Sequence, residues 1–179
     1  DWSVDRGTWE IGVPTSGPMA AYTDSSCAAT NLGGNYANMV GSRLKSPWLH
    51  LPAPSDNPSL IFQHWYSFDT SPTADHGIVQ LRTASAPETW ITISLNNFTG
   101  NSGGWSNYFL PLTDYADSIV QLAFLFESGG VGSSSGWYID DMFINGMADT
   151  TQIPTALLER SGADPLILYP NPARESFTI

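Results

Sequence analysis

The sequence has few basic residues for its length. Six of its 179 residues are Lys or Arg against 17 Asp or Glu, so the formal net charge is −11 at pH 7. No basic residue occurs between Arg82 and Arg160. Nucleic-acid binding needs clustered cations that replace phosphate counterions, so this charge balance argues against it. Binding to anionic membrane surfaces is disfavoured for the same reason.

Cysteine and long apolar runs are also scarce. Cys27 is the single cysteine, so no internal disulfide can form, and a small buried thiol is the expected state. No segment of the sequence approaches the roughly 20 apolar residues of a membrane span. Because the chain opens abruptly and stops within a strand-like pattern at Ile179, we expect it to be a piece of something longer.

Several motifs that carry catalysis are missing too. The sequence contains no His-Glu-x-x-His zinc pair, no phosphate-binding Gly loop with a Lys, and no Cys-x-x-Cys. None of its histidines, which are His50, His64 and His76, belongs to a known catalytic or metal-binding motif. His64 lies between Phe62 and Tyr66, where a hydrogen-bonded core histidine is favoured over a catalytic base. We therefore expect no catalysis by this chain alone.

Short strand-like runs are abundant. They are bounded by Gly, Pro, Ser, Asp or Asn and lie at 60–68, 77–83, 89–95, 119–127 and 136–144. No amphipathic helix of four turns is visible before residue 150. This pattern predicts an all-β fold, a two-sheet antiparallel β-sandwich of the jelly-roll kind.

The character of the chain changes after Met147. Residues 148–165 are polar and punctuated by Pro and Gly, which is typical of a linker. Residues 166–179 then begin a new β element. We therefore predict a jelly-roll domain over 1–147, a linker over 148–165, and the truncated start of a second β domain over 166–179.

Two adjacent carboxylates interrupt the last strand-like run. Asp140 and Asp141 lie within it, and strict alternation would place Asp140 on the same face as Tyr138 and Ile144. Asp is depleted in strands and an unpaired buried charge is costly, so a cation held by carboxylate and carbonyl oxygens would resolve the conflict. We predict a structural calcium (Ca²⁺) site here. Two exposed Asp residues at a strand end are the alternative.

Polar side chains occupy alternate positions in these runs and face away from the predicted core. They are Gln63 and Trp65, then Gln80 and Arg82, then Gln121. If their strands lie in one sheet, they form an outer shelf suited to a glycan, because sugars offer hydroxyls to amides and C–H faces to aromatics. A solvated sheet face is the alternative. A loop-edge cleft lined by Trp105 and Tyr108 is another place for a glycan.

A set of aromatic, Gly and Pro positions recurs through residues 7 to 147. The segments are Trp9 with Gly12-Val13-Pro14, then 27–36, 44–51, 60–66, 75–79, Trp90 and 137–144. Together they resemble MAM-like jelly-roll modules. Such modules follow the catalytic domain in many secreted bacterial proteases and occur in adhesins. In related carbohydrate-binding modules an Asp of an Ile-Asp-Asp strand helps to hold structural calcium, which implies a ligand role for Asp140 and Asp141. Glu10, Asp24 and Asn31 are further candidate ligands.

The end of the chain carries a second resemblance. The segment 168–179, which opens Leu-Tyr-Pro-Asn-Pro, resembles the start of the C-terminal sorting domain of type IX secretion substrates in Bacteroidetes. The resemblance implies a protein that is exported by the type IX secretion machinery and is then released or anchored at the cell surface.

Together these features predict a noncatalytic, calcium-stabilised accessory module of a secreted or surface-anchored multidomain hydrolase, with a protease as the first choice. The module would contribute stability or substrate attachment. Its expected partners are an upstream catalytic domain and an extracellular polysaccharide or protein, with no nucleic acid and no membrane insertion. The alternatives are a carbohydrate-binding module of a secreted glycoside hydrolase and an adhesin module that binds protein.

Overall fold

A computed structural model of the chain describes residues 1–71 and 75–146, and these residues form an all-β fold. The strands are β1 (Ser3–Asp5), β2 (Glu10–Gly12), β3 (Cys27–Ala29), β4 (Gly41–Lys45), β5 (Leu49–His50), β6 (Ser59–Ser67), β7 (His76–Thr83), β8 (Ile91–Thr92), β9 (Ser106–Pro111), β10 (Ile119–Glu127) and β11 (Gly136–Asn145). Two short 3-10 turns span Pro54–Asp56 and Thr113–Tyr115. Within the described ranges, none of the helical structure is long and apolar enough to cross a membrane. The predicted linker (148–165) and second β element (166–179) lie outside these residues.

The strands form two antiparallel sheets. Sheet A has the order β1-β4-β10-β7-β8, with β5 paired to the start of β10, and sheet B has the order β2-β3-β11-β6-β9. Consecutive strands often lie in different sheets, so the chain crosses the sandwich repeatedly, as it does from β5 to β6 and from β6 to β7. The predicted two-sheet antiparallel sandwich is confirmed.

The core between the sheets is built from aromatic side chains that alternate inward along the strands. The ring centroids of Phe62 on β6 and Phe124 on β10 lie 5.1 Å apart, and those of Phe124 and Trp137 on β11 lie 5.6 Å apart. All three are fully buried, and each contributes about 1.5–3 kcal/mol through burial. Gly77 on β7 leaves room for Trp137, because a Cβ there would lie 2.5 Å from that ring.

His64 lies in this core and is held by the indole of Trp137. The Nε1–H of Trp137 donates to His64 Nδ1 at 3.4 Å, and the rings of Phe62, Phe98 and Tyr108 surround the imidazole. Burial lowers the pKa of His64 to about 4, because a desolvated imidazolium is costly. The sequence-based prediction of a hydrogen-bonded core histidine is confirmed.

The outer faces of the two sheets differ in character. On sheet B, Cys27, Ala29 and Tyr138 form a second buried cluster, against which Trp65 and Trp105 pack. Burial raises the pKa of the Cys27 thiol to about 12, as expected for an inert structural cysteine. The outer face of sheet A instead carries long basic and aromatic side chains.

Candidate functional site

One row of side chains crosses four strands on the outer face of sheet A. Gln121 on β10 pairs directly with Arg82 on β7. The pairings of β5 with β10 and of β7 with β8, continued by one residue, place Trp48 opposite Gln121 and Trp90 opposite Arg82. Directly opposed residues of antiparallel strands point to the same face. The sheet register therefore lines up Trp48, Gln121, Arg82 and Trp90, which we call the tryptophan–arginine row.

Arg82 is fixed at the centre of this row. Its guanidinium carbon lies 5.2 Å from the ring centroid of Trp48 and 4.6 Å from that of Trp90, within the range of cation–π attraction. Its Nε–H donates to the Gln121 side-chain oxygen at 2.9 Å, and its Nη1 donates to the carbonyl of Pro87. These contacts hold the guanidinium in one orientation between two indoles.

Arg43 on β4 approaches the Trp90 indole on the same face of the sheet, from the far side of β10. Its Nε–H donates to the Gln80 side-chain oxygen at 2.8 Å. Its side chain therefore crosses β10 diagonally, because the register partner of Arg43 on β10 is Leu125 and that of Gln80 is Ala123. The Arg43 guanidinium then lies 5.5 Å from the centroid of Trp90. Two cations therefore share one aromatic ring.

Gln80 and Gln121 are buried, whereas amides that bind a sugar directly were expected to be exposed on the outer face. Both are buried at 7% exposure, and both accept a hydrogen bond from an arginine Nε–H. The Gln121 amide nitrogen also donates to the carbonyl of Ser46 at 2.6 Å. The two glutamines therefore position the guanidiniums, and the arginine Nη groups and indoles form the outer layer of the face.

Most of the Lys and Arg residues that the structure describes lie on this face. Residues 1–71 and 75–146 contain four Lys or Arg, namely Arg6, Arg43, Lys45 and Arg82. Lys45 lies in register with Ala123, on the same side as Gln80. Three of the four thus lie on one sheet face, which we call the cationic face and define as Arg43, Lys45, Arg82, Trp48 and Trp90. Among the described residues, two carboxylates share this side of the sheet: Asp5 lies at its edge, 3.8 Å from Arg43 Nη1, and Glu127 lies at the end of β10, 3.2 Å from His76 Nε2.

Gln63 and Trp65 do not belong to this face, because their strand β6 lies in sheet B. The Trp65 ring packs edge-on against the buried Tyr138, with centroids 5.4 Å apart at 83°, and the Tyr138 hydroxyl bonds to Ser16 at 2.8 Å. The single shelf expected from alternation is therefore wrong, since alternation assigns a face within a strand but not the sheet to which the strand belongs.

Trp105 and Tyr108 also do not line one cleft. They lie three residues apart in the region of β9, and Tyr108 faces the core, with its ring 5.5 Å from that of Phe62. Trp105 is on the opposite side, where its Nε1–H donates to the carbonyl of Ala20 at 3.3 Å. The odd spacing along an extended strand puts the two rings on opposite faces.

Asp140 is buried and receives backbone N–H groups. Its Oδ2 accepts from Tyr22 at 2.8 Å and from Thr23 at 3.2 Å, and its Oδ1 accepts from the Asp141 N–H at 2.9 Å. Desolvation raises the pKa of Asp140, although these donors act in the opposite direction. The loop that crosses the outer face of sheet B therefore supplies donors to a carboxylate that is 2% exposed.

A β-bulge follows Asp140 and changes the faces of the last strand. Asp141 has φ +43°, and the pairing of β11 with β6 shifts between Asp140 and Phe143. Ile144 consequently packs in the main core while Tyr138 faces the outer cluster. The expectation that Asp140 and Ile144 share a face is wrong, because one extra residue reverses the alternation.

The remaining candidate calcium ligands lie in separate contacts. Glu10 Oε2 accepts the Leu32 N–H at 2.9 Å, and Asn31 Oδ1 accepts the Gly33 N–H at 2.9 Å. Asp24 adopts φ +52° in the loop beside Asp140. Within residues 1–71 and 75–146, no three His, Cys, Asp or Glu side chains are grouped so as to hold a metal ion. The calcium site therefore stays a prediction.

A serine segment before β11 has the Gly-x-Ser-x-Gly spacing of a nucleophile elbow. Residues 132–136 read Gly-Ser-Ser-Ser-Gly, but they lead into a strand rather than from a strand into a helix, the context that the elbow requires. The Ser134 hydroxyl bonds to the Ser67 hydroxyl at 2.7 Å. This segment therefore joins two strand ends and lacks the geometry of a catalytic turn.

The sequence predicts only part of the site on the outer face of sheet A. Alternation identifies Gln80, Arg82 and Gln121 as outward residues, but it does not identify Arg43, Trp48 and Trp90 as site residues. The signal that could have found them is the scarcity of cations combined with two Trp residues next to strand runs. Their convergence depends on sheet pairings between distant segments, which a local pattern does not contain.

The chain has a detectable sequence relative, although no protein-family model matches it. It is 30% identical over 145 residues to Bacillopeptidase F of Bacillus subtilis (strain 168), a match that covers 80% of this chain and 10% of that protein. The chain thus spans about a tenth of the length of the curated relative it matches.

Solved β-sandwich modules are also similar. The cleaved adhesin domain of Lys-gingipain from Porphyromonas gingivalis W83 has a TM-score of 0.48 at 20% identity, covering 80% of this chain and 89% of that chain. The family 11 carbohydrate-binding module of a cellulosomal cellulase from Clostridium thermocellum has a TM-score of 0.46 at 11% identity, covering 84% and 90%.

Proposed function

We propose that this chain is a noncatalytic accessory module of a larger secreted or cell-surface hydrolase, and that its cationic face attaches the parent protein to an extracellular polysaccharide. One observation carries the proposal: Arg82 is held between two indoles on an outer sheet face, with Trp48 42% exposed. A pre-oriented guanidinium beside an exposed aromatic ring offers hydrogen-bond donors and a C–H-binding surface at the same place.

The parent protein is proposed to be a peptidase. The supporting observation is the match of this chain to a tenth of Bacillopeptidase F, because a segment of that size is one module within a much longer protein. The MAM-like resemblance of residues 7–147 supports the same placement next to a catalytic domain. The resemblance of residues 168–179 to a sorting domain supports export by the type IX machinery.

Contact with protein is a second candidate, favoured by an apolar row on the outer face of sheet B. Phe143, Ile61 and Phe109 lie side by side in register across β11, β6 and β9. Phe143 is 40% exposed and Phe109 is 56% exposed. Such a row suits packing against a neighbouring domain of the parent protein, so the two functions would use opposite faces of the sandwich.

Affinity electrophoresis of the full chain against a panel of neutral and acidic polysaccharides tests the attachment function. We expect at least one polymer to retard the wild-type chain, and Trp48→Ala to abolish that retardation. Phe109→Ala is the matched control, since it removes an exposed aromatic ring from the opposite face and should leave retardation unchanged. Retardation by no polymer, or equal loss in both variants, would exclude attachment through the cationic face.

A further inference from the structure

The distribution of charge on the molecule is uneven in a way that points to the ligand. The whole chain carries a formal charge of −11, yet Arg43, Lys45 and Arg82 lie together on the outer face of sheet A. A cationic patch on an acidic protein attracts anions locally while the rest of the surface repels them. The charge pattern therefore selects for an anionic ligand that approaches from one side.

The guanidiniums retain donors for such a ligand. A guanidinium has five N–H donors, and within residues 1–71 and 75–146 Arg82 uses its Nε to Gln121 and one Nη1 donor to Pro87. Arg43 uses its Nε to Gln80, and Asp5, at 3.8 Å from its Nη1, is beyond hydrogen-bond distance. Among the described residues, Arg43 therefore keeps its Nη donors, and Arg82 keeps its Nη2 group and one N–H of Nη1, to bind a carboxylate.

Both guanidiniums lie against the same indole. The guanidinium carbons of Arg43 and Arg82 lie 5.5 Å and 4.6 Å from the Trp90 ring centroid, and Asp5 forms an ion pair with Arg43. Cation–π attraction helps to hold both cations at this ring. Carboxylates bound to the Nη groups would add anionic partners, and the glutamines that fix both side chains reduce the entropy lost on binding.

The shape of the face favours a polymer over a single small anion. The tryptophan–arginine row spans three strand spacings, or about 14 Å, with an indole at each end. An extended polysaccharide can stack one sugar ring on Trp48 while acidic groups of its other sugar units bind Arg82 and Arg43. This combination of exposed aromatic ring and cations suits a sugar acid, which offers C–H faces and carboxylates on the same unit.

We infer that the ligand of the cationic face is an acidic polysaccharide whose carboxylates bind the Nη groups of Arg43 and Arg82, with Lys45 beside them. This inference rests on the proposed attachment function and specifies its substrate class. Binding should be electrostatic in part, so it should weaken as salt screens the charges.

Binding of the full chain to polygalacturonate, compared with the same polymer after methyl esterification of its carboxylates, tests this inference. We expect polygalacturonate to bind at least tenfold more tightly, and to weaken at least fivefold between 50 and 500 mM NaCl, a range in which the Debye length falls from about 14 Å to about 4 Å. Equal binding of both polymers would overturn the inference and leave the attachment function intact. Binding of neither these nor any other polysaccharide would overturn both.

Two variants locate the charge contribution. Arg82→Lys keeps the charge but loses the planar fork, and should weaken polygalacturonate binding at least fivefold. Arg6→Lys, the same change away from the cationic face, should have no effect. Lys45→Gln should also weaken binding, which provides an independent reading if Arg82→Lys disturbs the fold. Poly-glutamate that binds as tightly as polygalacturonate would show an acidic peptide as the ligand and overturn the inference.

Discussion

The guanidinium carbon of Arg82 lies 4.6 Å from the ring centroid of Trp90 and 5.2 Å from the ring centroid of Trp48, on the same sheet face. The residues come from three segments of the chain, and only the pairing of β5, β10, β7 and β8 brings them together. A buried glutamine fixes the arginine from behind. This relationship turns a scarce cation into an oriented binding group on an otherwise acidic molecule.

Loss of the Gln121 side-chain oxygen should release Arg82. Gln121→Leu removes the acceptor of Arg82 Nε and the donor to Ser46 while keeping a similar volume. We expect a loss of about 1–3 kcal/mol in unfolding free energy, because buried partners are left unpaired, together with weaker polysaccharide binding. Urea unfolding and affinity electrophoresis measure the two effects. Unchanged binding would show that Arg82 needs no positioning by Gln121.

Trp65 should matter for stability and not for polysaccharide binding. Its ring packs against Tyr138 on sheet B, so Trp65→Ala should lower the free energy of unfolding by about 2–4 kcal/mol, somewhat less than a fully buried Trp. Thermal unfolding and affinity electrophoresis of the variant measure this. The sequence alone instead places Trp65 on a glycan-binding shelf. Loss of binding with unchanged stability would restore that view.

His64 should make the fold sensitive to acid. Its pKa is lowered to about 4 in the folded state from about 6.5 in the unfolded chain. The unfolded state therefore binds more protons between these values, and stability falls as pH drops from 6.5 to 4, by at most about 3 kcal/mol. Asp140 works in the opposite direction, because its raised pKa favours the folded state as it becomes protonated.

Comparison with a variant isolates the histidine. Urea unfolding of wild type and His64→Phe at pH 7 and pH 4.5 should show a smaller pH-dependent loss in the variant. His50→Phe, at an exposed position, should keep the wild-type pH dependence. Identical pH profiles for wild type and His64→Phe would mean that this imidazole does not titrate in the proposed range.

The predicted calcium ion should raise the melting temperature if it binds. Ligation by Asp140 and Asp141 would stabilise the folded state by RT ln(1 + [L]/Kd), which is about 2.7 kcal/mol at a hundredfold excess over Kd. Differential scanning calorimetry in calcium and in chelator measures this. Asp141→Asn should reduce the calcium response, and Asp114→Asn, at an exposed turn, should not. The same melting temperature in calcium and chelator would leave the backbone donors of residues 22–23 as the means by which Asp140 is accommodated.

The sequence predicts a good part of this fold because alternation is a local property. Because polar residues mark the outward positions of β6, β7 and β10, alternation points Phe62, Leu81 and Phe124 inward, and all three are fully buried. The face assignment fails beyond Asp141, where the extra residue of the β-bulge reverses the alternation of side chains between the two faces. The candidate site was predicted only in part, because Arg82 and Gln121 are adjacent through pairing of distant strands, and Arg43 reaches Gln80 across the intervening strand β10.

The most direct test of the cationic face is a side-chain NMR titration of the full chain with polygalacturonate oligosaccharides. We expect the indole Nε1–H signals of Trp48 and Trp90 and the Nε–H signal of Arg82 to shift on binding. The indole signals of Trp65 and Trp105, on sheet B, should remain in place. Shifts confined to Trp65 and Trp105, or oligosaccharide binding that leaves all three cationic-face signals unchanged, would show that the cationic face is not the binding site.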